Sequence, residues 1–100
     1  MLLESEQNGN DITTLYNSSN VLKSIYNTQT KDLTITFSNG GKYKYFNVDI
    51  NTFLHLQENT SIGKFVNSTI KKNFNYEMIG SEDSKKLLSE ISVVKEKLGF

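Results

Sequence analysis

The feature that most constrains this chain is a strict two-residue alternation that ends in a glycine turn. In Asp32-Leu33-Thr34-Ile35-Thr36-Phe37-Ser38, the residues Leu33, Ile35 and Phe37 share one side and threonines share the other. Successive side chains of an extended strand point to opposite faces, so this pattern predicts a half-buried strand. Asn39-Gly40-Gly41 follows, and then Lys42-Tyr43-Lys44-Tyr45-Phe46. Register decides what the hairpin buries. A two-residue Asn39-Gly40 loop sets Phe37 opposite Lys42 and Ile35 opposite Lys44, which mixes core with charge. A three-residue loop pairs Phe37 with Tyr43 and Ile35 with Tyr45, and gives Gly41 the left-handed position such loops need. The second arrangement predicts a structural core face of Leu33, Ile35, Phe37, Tyr43 and Tyr45. Thr34, Thr36, Lys42, Lys44 and Phe46 then lie opposite.

The flanking sequence supplies the other elements. Val21-Leu22-Lys23-Ser24-Ile25-Tyr26 reads as a strand with two similarly apolar faces, so its orientation stays open. Asp49 is placed to cap a short helix over residues 50–57, with Ile50, Phe53, Leu54 and Gln57 at helical spacing and Leu56 nearby. Ser61 is placed to cap a second helix over residues 62–72, with Ile62, Phe65, Val66 and Ile70 on one face. Residues 73–79 break that helix and return as an extended segment. Gly80-Ser81 opens a third helix with Glu82 and Asp83 in its first turn, where the helix dipole favours anions. Its stripe is Leu87, Leu88, Ile91, Val94 and Leu98, and Gly99 is its stop. Residues 1–17 hold Glu4, Glu6 and Asp11 without a lysine and read as a loose acidic arm. The expected fold is α+β: a three-stranded antiparallel meander with two short helices packed on one face, plus a C-terminal amphipathic helix. The expected organisation is an arm over 1–17, a folded unit over 18–79 and a helix over 80–100.

Read together, these motifs resemble the KTSC domain. The resemblance runs from Ser18-Ser19-Asn20 and the strand ending in Tyr26, through Phe37-Ser38-Asn39-Gly40 and Tyr43-Lys44-Tyr45. It continues with Ser61-Ile62-Gly63-Lys64-Phe65, Asn67, Ile70-Lys71 and Phe74-Asn75-Tyr76. The family takes its name from the C-terminus of some lysyl-tRNA synthetases, and also occurs as short standalone proteins of bacteria and phages. The resemblance implies a module without established catalysis, for which RNA binding has been suggested from that attachment. Two departures stand out. Asp49 takes the place of a frequent proline, and Lys71-Lys72 takes the place of a frequent arginine, which removes any Arg-specific contact.

Composition narrows the function classes. The chain has 100 residues, 11 lysines, 11 acidic residues and a formal net charge of zero. Ala, Arg, Pro, Cys and Trp are absent, which points to an AT-rich genome such as that of a low-GC bacterium or its phage. The lack of Cys excludes disulfides and thiolate metal sites, and the single histidine, His55, excludes a His-rich one. No metal and no cofactor are expected. No stretch approaches the roughly 20 apolar residues of a membrane span. No secretory signal is read at the N-terminus, so cytoplasm or virion is the expected location and no membrane partner is expected. Gly40-Gly41-Lys42 lacks the spacing of a phosphate loop. His55 and Glu58 have no nucleophile at a recognisable spacing. A non-catalytic protein is therefore expected.

Charge is unevenly placed. Residues 21–76 hold seven lysines against three acids, between an acidic arm and a slightly acidic tail. Two clusters join lysine to aromatic rings and are candidates for nucleic-acid contact: Lys42, Lys44 and Phe46, and Lys71, Lys72, Phe74 and Tyr76. Candidates for protein association are Ile12, Leu15 and Tyr16 of the arm, and Leu87, Ile91, Val94, Leu98 and Phe100 of the C-terminal helix. The first expectation is a small binding or assembly module, virion-associated or accessory, acting through a protein partner or self-association. RNA or single-stranded nucleic-acid binding is the alternative, and a small anionic ligand a further one.

Overall fold

A two-residue turn at the N-terminus corrects the expected architecture. The computed structural model describes all residues from Met1 to Phe100. Strands β1 (Leu2–Asn8) and β2 (Asp11–Tyr16) pair antiparallel, with Asn8 opposite Asp11 and Gly9-Asn10 between them. Gly9 has φ +63, as the first position of a type II′ hairpin turn requires. The acidic arm is thus a hairpin, and it extends the sheet. Strands β3 (Val21–Asn27), β4 (Leu33–Phe37) and β5 (Gly41–Tyr45) follow as expected. A last strand, β6 (Tyr76–Ser81), closes a six-stranded antiparallel sheet in sequence order. The three-stranded meander is its centre.

The β4–β5 hairpin keeps the predicted faces and changes the predicted pairs. Ile35 stands opposite Tyr43 and Leu33 opposite Tyr45, two residues from the expected register. A shift of two preserves side-chain facing, whereas a shift of one would reverse it. The loop is Ser38-Asn39-Gly40, and Gly40, not Gly41, takes the left-handed position with φ +92. Its amide donates to Phe37 C=O at 2.9 Å, and Asn39 Oδ1 accepts from the Gly41 amide at 2.9 Å.

The front of the sheet is covered by α1 (Ile50–Glu58) and by a rod made of α2 (Ile62–Phe65), a π turn (Val66–Ile70) and α3 (Lys71–Asn73). Asp49 caps α1, accepting from the Thr52 amide and hydroxyl at 3.1 and 2.7 Å. Phe53 and Leu56 are the buried residues of α1, while Ile50 and Leu54 are exposed. Ser61 precedes α2 but makes no side-chain cap. The main core lies here, with Tyr16, Val21, Tyr26, Leu33, Ile35, Tyr45 and Val48 packed on Phe53, Leu56, Ile62, Val66 and Ile70. Tyr26 stacks on Phe53 at 4.4 Å and donates its hydroxyl to Val48 C=O at 2.6 Å.

The back of the sheet is covered in part by α4 (Ser84–Leu98), so not all helices share one face. A β-bulge opposite Thr36 turns Leu22 backward, where it meets Leu3, Leu87 and Ile91 in a second, smaller core. That core explains why β3 showed two apolar faces. The helix begins later than expected. Asp83 is its N-cap, accepting from Lys85 and Lys86 amides, and Ser81 still belongs to β6. Glu82 lies before the helix and not in its first turn; its carboxylate binds Lys23 Nζ at 2.8 and 3.0 Å, and its amide donates to Gly40 C=O at 2.8 Å. Gly99 ends α4 with φ +85, as predicted. No helix is long and apolar enough to cross a membrane, and no group of His, Asp and Glu is arranged to hold a metal ion.

Candidate functional site

The association candidates are mostly consumed by the fold. Tyr16 is fully buried, with its hydroxyl 2.7 Å from Ser24 Oγ, and burial pushes its phenol up to about 12. Ile12 packs on the main core; Leu87, Ile91, Leu15 and Val94 form or line the smaller one. Of these candidates, only Leu98 and Phe100 remain exposed. A surface that is occupied inside the chain is not free to dock on a neighbour.

The two lysine clusters lie on opposite faces and do not form one site. Lys42 and Lys44 project from β5 to the back. There Lys42 Nζ lies 3.8 Å from Glu82 Oε1, and Lys44 stands opposite Glu77 of β6. Phe46 follows β5 and continues its pairing, its amide donating to Asn75 C=O at 2.9 Å. Lys71, Lys72 and Tyr76 belong to the front, with Phe74 half-buried against the core. The molecule's ion pairs, Lys23 and Lys42 with Glu82, both involve the back face. Lys64, Lys71 and Lys72 have no carboxylate partner.

Lys71 borders a cleft that the sequence did not single out as a site. Strand alternation turns Phe37, Tyr43 and Tyr45 to the front, and β6 adds Tyr76 beside them. Lys71 enters from α3 and Asn20 from the loop before β3. Together with Ser38 and Asn39 these residues line a cleft of about 390 Å³. The rings form a herringbone: Phe37 meets Tyr43 edge-on at 5.6 Å, Tyr43 meets Tyr76 at 5.9 Å, and Tyr45 meets Tyr76 at 5.6 Å. Such offset contacts suit ring quadrupoles. Lys71 Nζ sits 5.0 Å above the Phe37 ring. Of the predicted core face, Leu33, Ile35 and Tyr45 are buried, whereas Phe37 and Tyr43 are half-buried walls of this cleft. Burial, with Tyr76 and Tyr43 nearby, pushes the Tyr45 phenol up to about 12, so it stays neutral.

A second cleft of about 350 Å³ adjoins the first and shares Asn20 with it. Its lining is polar, including Ser18, Ser19, Thr60, Ser61 and Gly63, and Lys64 is its one charge. The Asn20 carbonyl accepts from the Ser38 amide at 2.8 Å, and Ser18 Oγ accepts from the Asn20 amide at 3.2 Å. Gly63 lets the rod approach, because a Cβ there would lie 3.2 Å from both Asn20 Cβ and Nδ2. No carboxylate or imidazole lines either cleft, and His55 is exposed on α1. The two clefts can hold a planar or apolar group beside an anion. Asn20, Phe37, Tyr43 and Lys64 were absent from the expected contact sets. Their only signal was that each lies in a motif carrying the family resemblance.

Comparison with known proteins agrees with that resemblance. The family model described as the KTSC domain matches residues 17–74. A crystal structure of a KTSC domain protein from Yersinia pestis is similar to this chain, with a TM-score of 0.65 and 28% sequence identity. The match covers 68% of this chain and 96% of that one. No protein of curated function matches. The matched span takes in β3, β4, β5 and the front helices, while the β1–β2 hairpin, β6 and α4 lie outside it.

Proposed function

The chain belongs to the KTSC domain family, and we propose that it is a non-catalytic binding module whose front clefts take single-stranded nucleic acid. The observation that carries this reading is the junction at Asn20 of an aromatic cleft bearing Lys71 with a polar cleft bearing Lys64. A base stacks on exposed Tyr76, and the adjoining phosphates meet Lys71, Lys72 and Lys64. Aromatic stacking is tolerant of sequence, and lysine contacts to phosphate are salt-sensitive. The absence of a carboxylate or imidazole to act as general base at the clefts supports binding over chemistry. Zero net charge restricts the contact to this local patch.

The chain's expected association through its arm and C-terminal helix has lost most of its surface, and β6 presents an open sheet edge. The back cluster of Lys42, Lys44 and Phe46 is not part of the proposed site, because Glu82 and Glu77 stand beside its lysines. A cytoplasmic or virion setting fits a nucleic-acid ligand equally. The test is a titration of labelled single-stranded RNA and DNA at low and moderate salt. The expected result is binding that weakens with salt. Tyr76→Ala should cost about 1–3 kcal/mol, the range for one stacked base. Absence of binding at low salt, or binding indifferent to Tyr76, contradicts the proposal.

A further inference from the structure

Strand β6 is exposed along its whole length. All six residues of β6 are exposed, with Tyr76 at 57% and Met78 at 61%. It pairs with β5 on one side only, and its other side presents an unpaired backbone. Phe46 N–H donates to Asn75 C=O at 2.9 Å. Backbone groups alternate inward and outward along an antiparallel ladder, so those of Tyr76 and Met78 face away from β5.

We infer that this edge pairs with β6 of a second copy, antiparallel, about a two-fold axis through Tyr76. The self-complementarity of residues 74–78 selects the occupant, and the charge pattern excludes the competing register. Residues that face each other across such a pair must point to the same side of the sheet. An axis at Glu77 would set Glu77 directly opposite Glu77 of the second copy, and like charges so placed are destabilising. An axis at Tyr76 sets Tyr76 against Tyr76, Glu77 against Asn75 and Met78 against Phe74. Every opposition is then favourable: ring on ring, carboxamide donating to carboxylate, and thioether against an aromatic edge.

The backbone supports the same register. Each Tyr76 N–H donates to the other Tyr76 C=O, and each Met78 N–H donates to the other Phe74 C=O. The Phe74 N–H is already engaged with Ile70 C=O at 3.3 Å, so it takes no part. One segment supplies both halves of the match, which is what a two-fold contact requires. The assembly closes as a dimer. The bulge after Met78, at Ile79, ends the straight part of β6. At the far edge of the sheet, β1 carries Glu4 and Glu6 and a bulge of its own, both of which discourage further addition. The dimer sets the two aromatic clefts side by side across the axis; Tyr76 belongs to both the contact and the cleft, so the dimer is tested on the chain without nucleic acid.

The chain has no cysteine, so single introduced cysteines report the register cleanly. Under mild oxidation of the full chain, Tyr76→Cys should cross-link readily and Glu77→Cys should not. Sedimentation over a range of concentrations should show dimer for the wild-type chain and monomer for Met78→Lys, with an unchanged circular dichroism spectrum. A wild-type chain that stays monomeric at millimolar concentration overturns the inference. So does equal cross-linking at both positions, or a dimer that survives Met78→Lys.

Discussion

The lysines of β3 and β5 on the back of the sheet and those of the rod on its front sit in opposite settings. On the back, Glu82 holds Lys23 and approaches Lys42, and Glu77 faces Lys44. On the front, Lys71 and Lys64 line adjoining clefts with no carboxylate, and Lys72 lies on the neighbouring surface with Lys71, Phe74 and Tyr76. In sequence the two groups look alike, because both place lysine next to aromatic residues. What separates them is the return of the chain as β6 and the entry to α4, which bring Glu77 and Glu82 to the back of β5. The lesson is that a charge count describes composition, whereas a binding surface depends on which charges remain unpaired after folding.

Perturbing the clamp that neutralises the back is the most severe way to break this contrast. Gly40 has φ +92, and a Cβ there would come within 2.5 Å of the Glu82 carbonyl oxygen. Gly40→Ala should therefore destabilise the fold by about 2 kcal/mol or more, since left-handed strain alone costs about 1–2 kcal/mol. Chemical denaturation measures this. A shift under half that size would mean the Gly40–Glu82 contact does not hold α4 to the sheet.

Alkaline titration tests the front core. Burial raises the Tyr16 phenol to about 12, above its ordinary value of 10.0. The unfolded chain ionises first, so stability is full below pH 10 and falls as pH rises toward 12. One such tyrosine contributes a slope approaching about 1.4 kcal/mol per pH unit in that window. The stability difference between the wild-type chain and Tyr16→Phe should be constant below pH 10 and shift against the wild type between pH 10 and 12. Parallel curves would remove Tyr16 from the account.

Glu82→Gln should cost about 1 kcal/mol, because the Lys23 pair is partly buried and doubly bonded. It also frees Lys23 and Lys42, so it should add weak, salt-sensitive polyanion binding on the back. Unchanged binding there would show that pairing is not what silences those lysines. The smallest effect is expected at Gly63→Ala. Helix propensity gains up to about 1 kcal/mol and crowding of Asn20 offsets it, so stability should change little. Oligonucleotide affinity should fall several-fold, because Asn20 joins the two clefts.

Much of the fold was legible where one face meets water. The Leu33/Ile35/Phe37 alternation, the Asp49 cap and the Gly99 stop all stand as read. The β1–β2 hairpin was not legible as strand because only Leu3 of β1 is buried, which leaves no two-residue hydrophobic period. The Gly9-Asn10 turn was its one local signal. The side covered by α4 was hidden for the opposite reason: β3 is packed on both faces. The candidate site was half legible. Lys71, Lys72 and Tyr76 are adjacent in the chain, but Asn20, Phe37, Tyr43 and Lys64 meet them only through strand pairing and the approach of the rod.

The contrast between the two faces is tested most directly by matched charge reversals. Lys71→Glu and the double variant Lys42→Glu/Lys44→Glu should be titrated against the same labelled single strand at low salt. Lys71→Glu is predicted to abolish salt-sensitive binding, while the back-face double variant keeps most of it. Loss confined to the double variant, or equal loss in both, would contradict a front-face site.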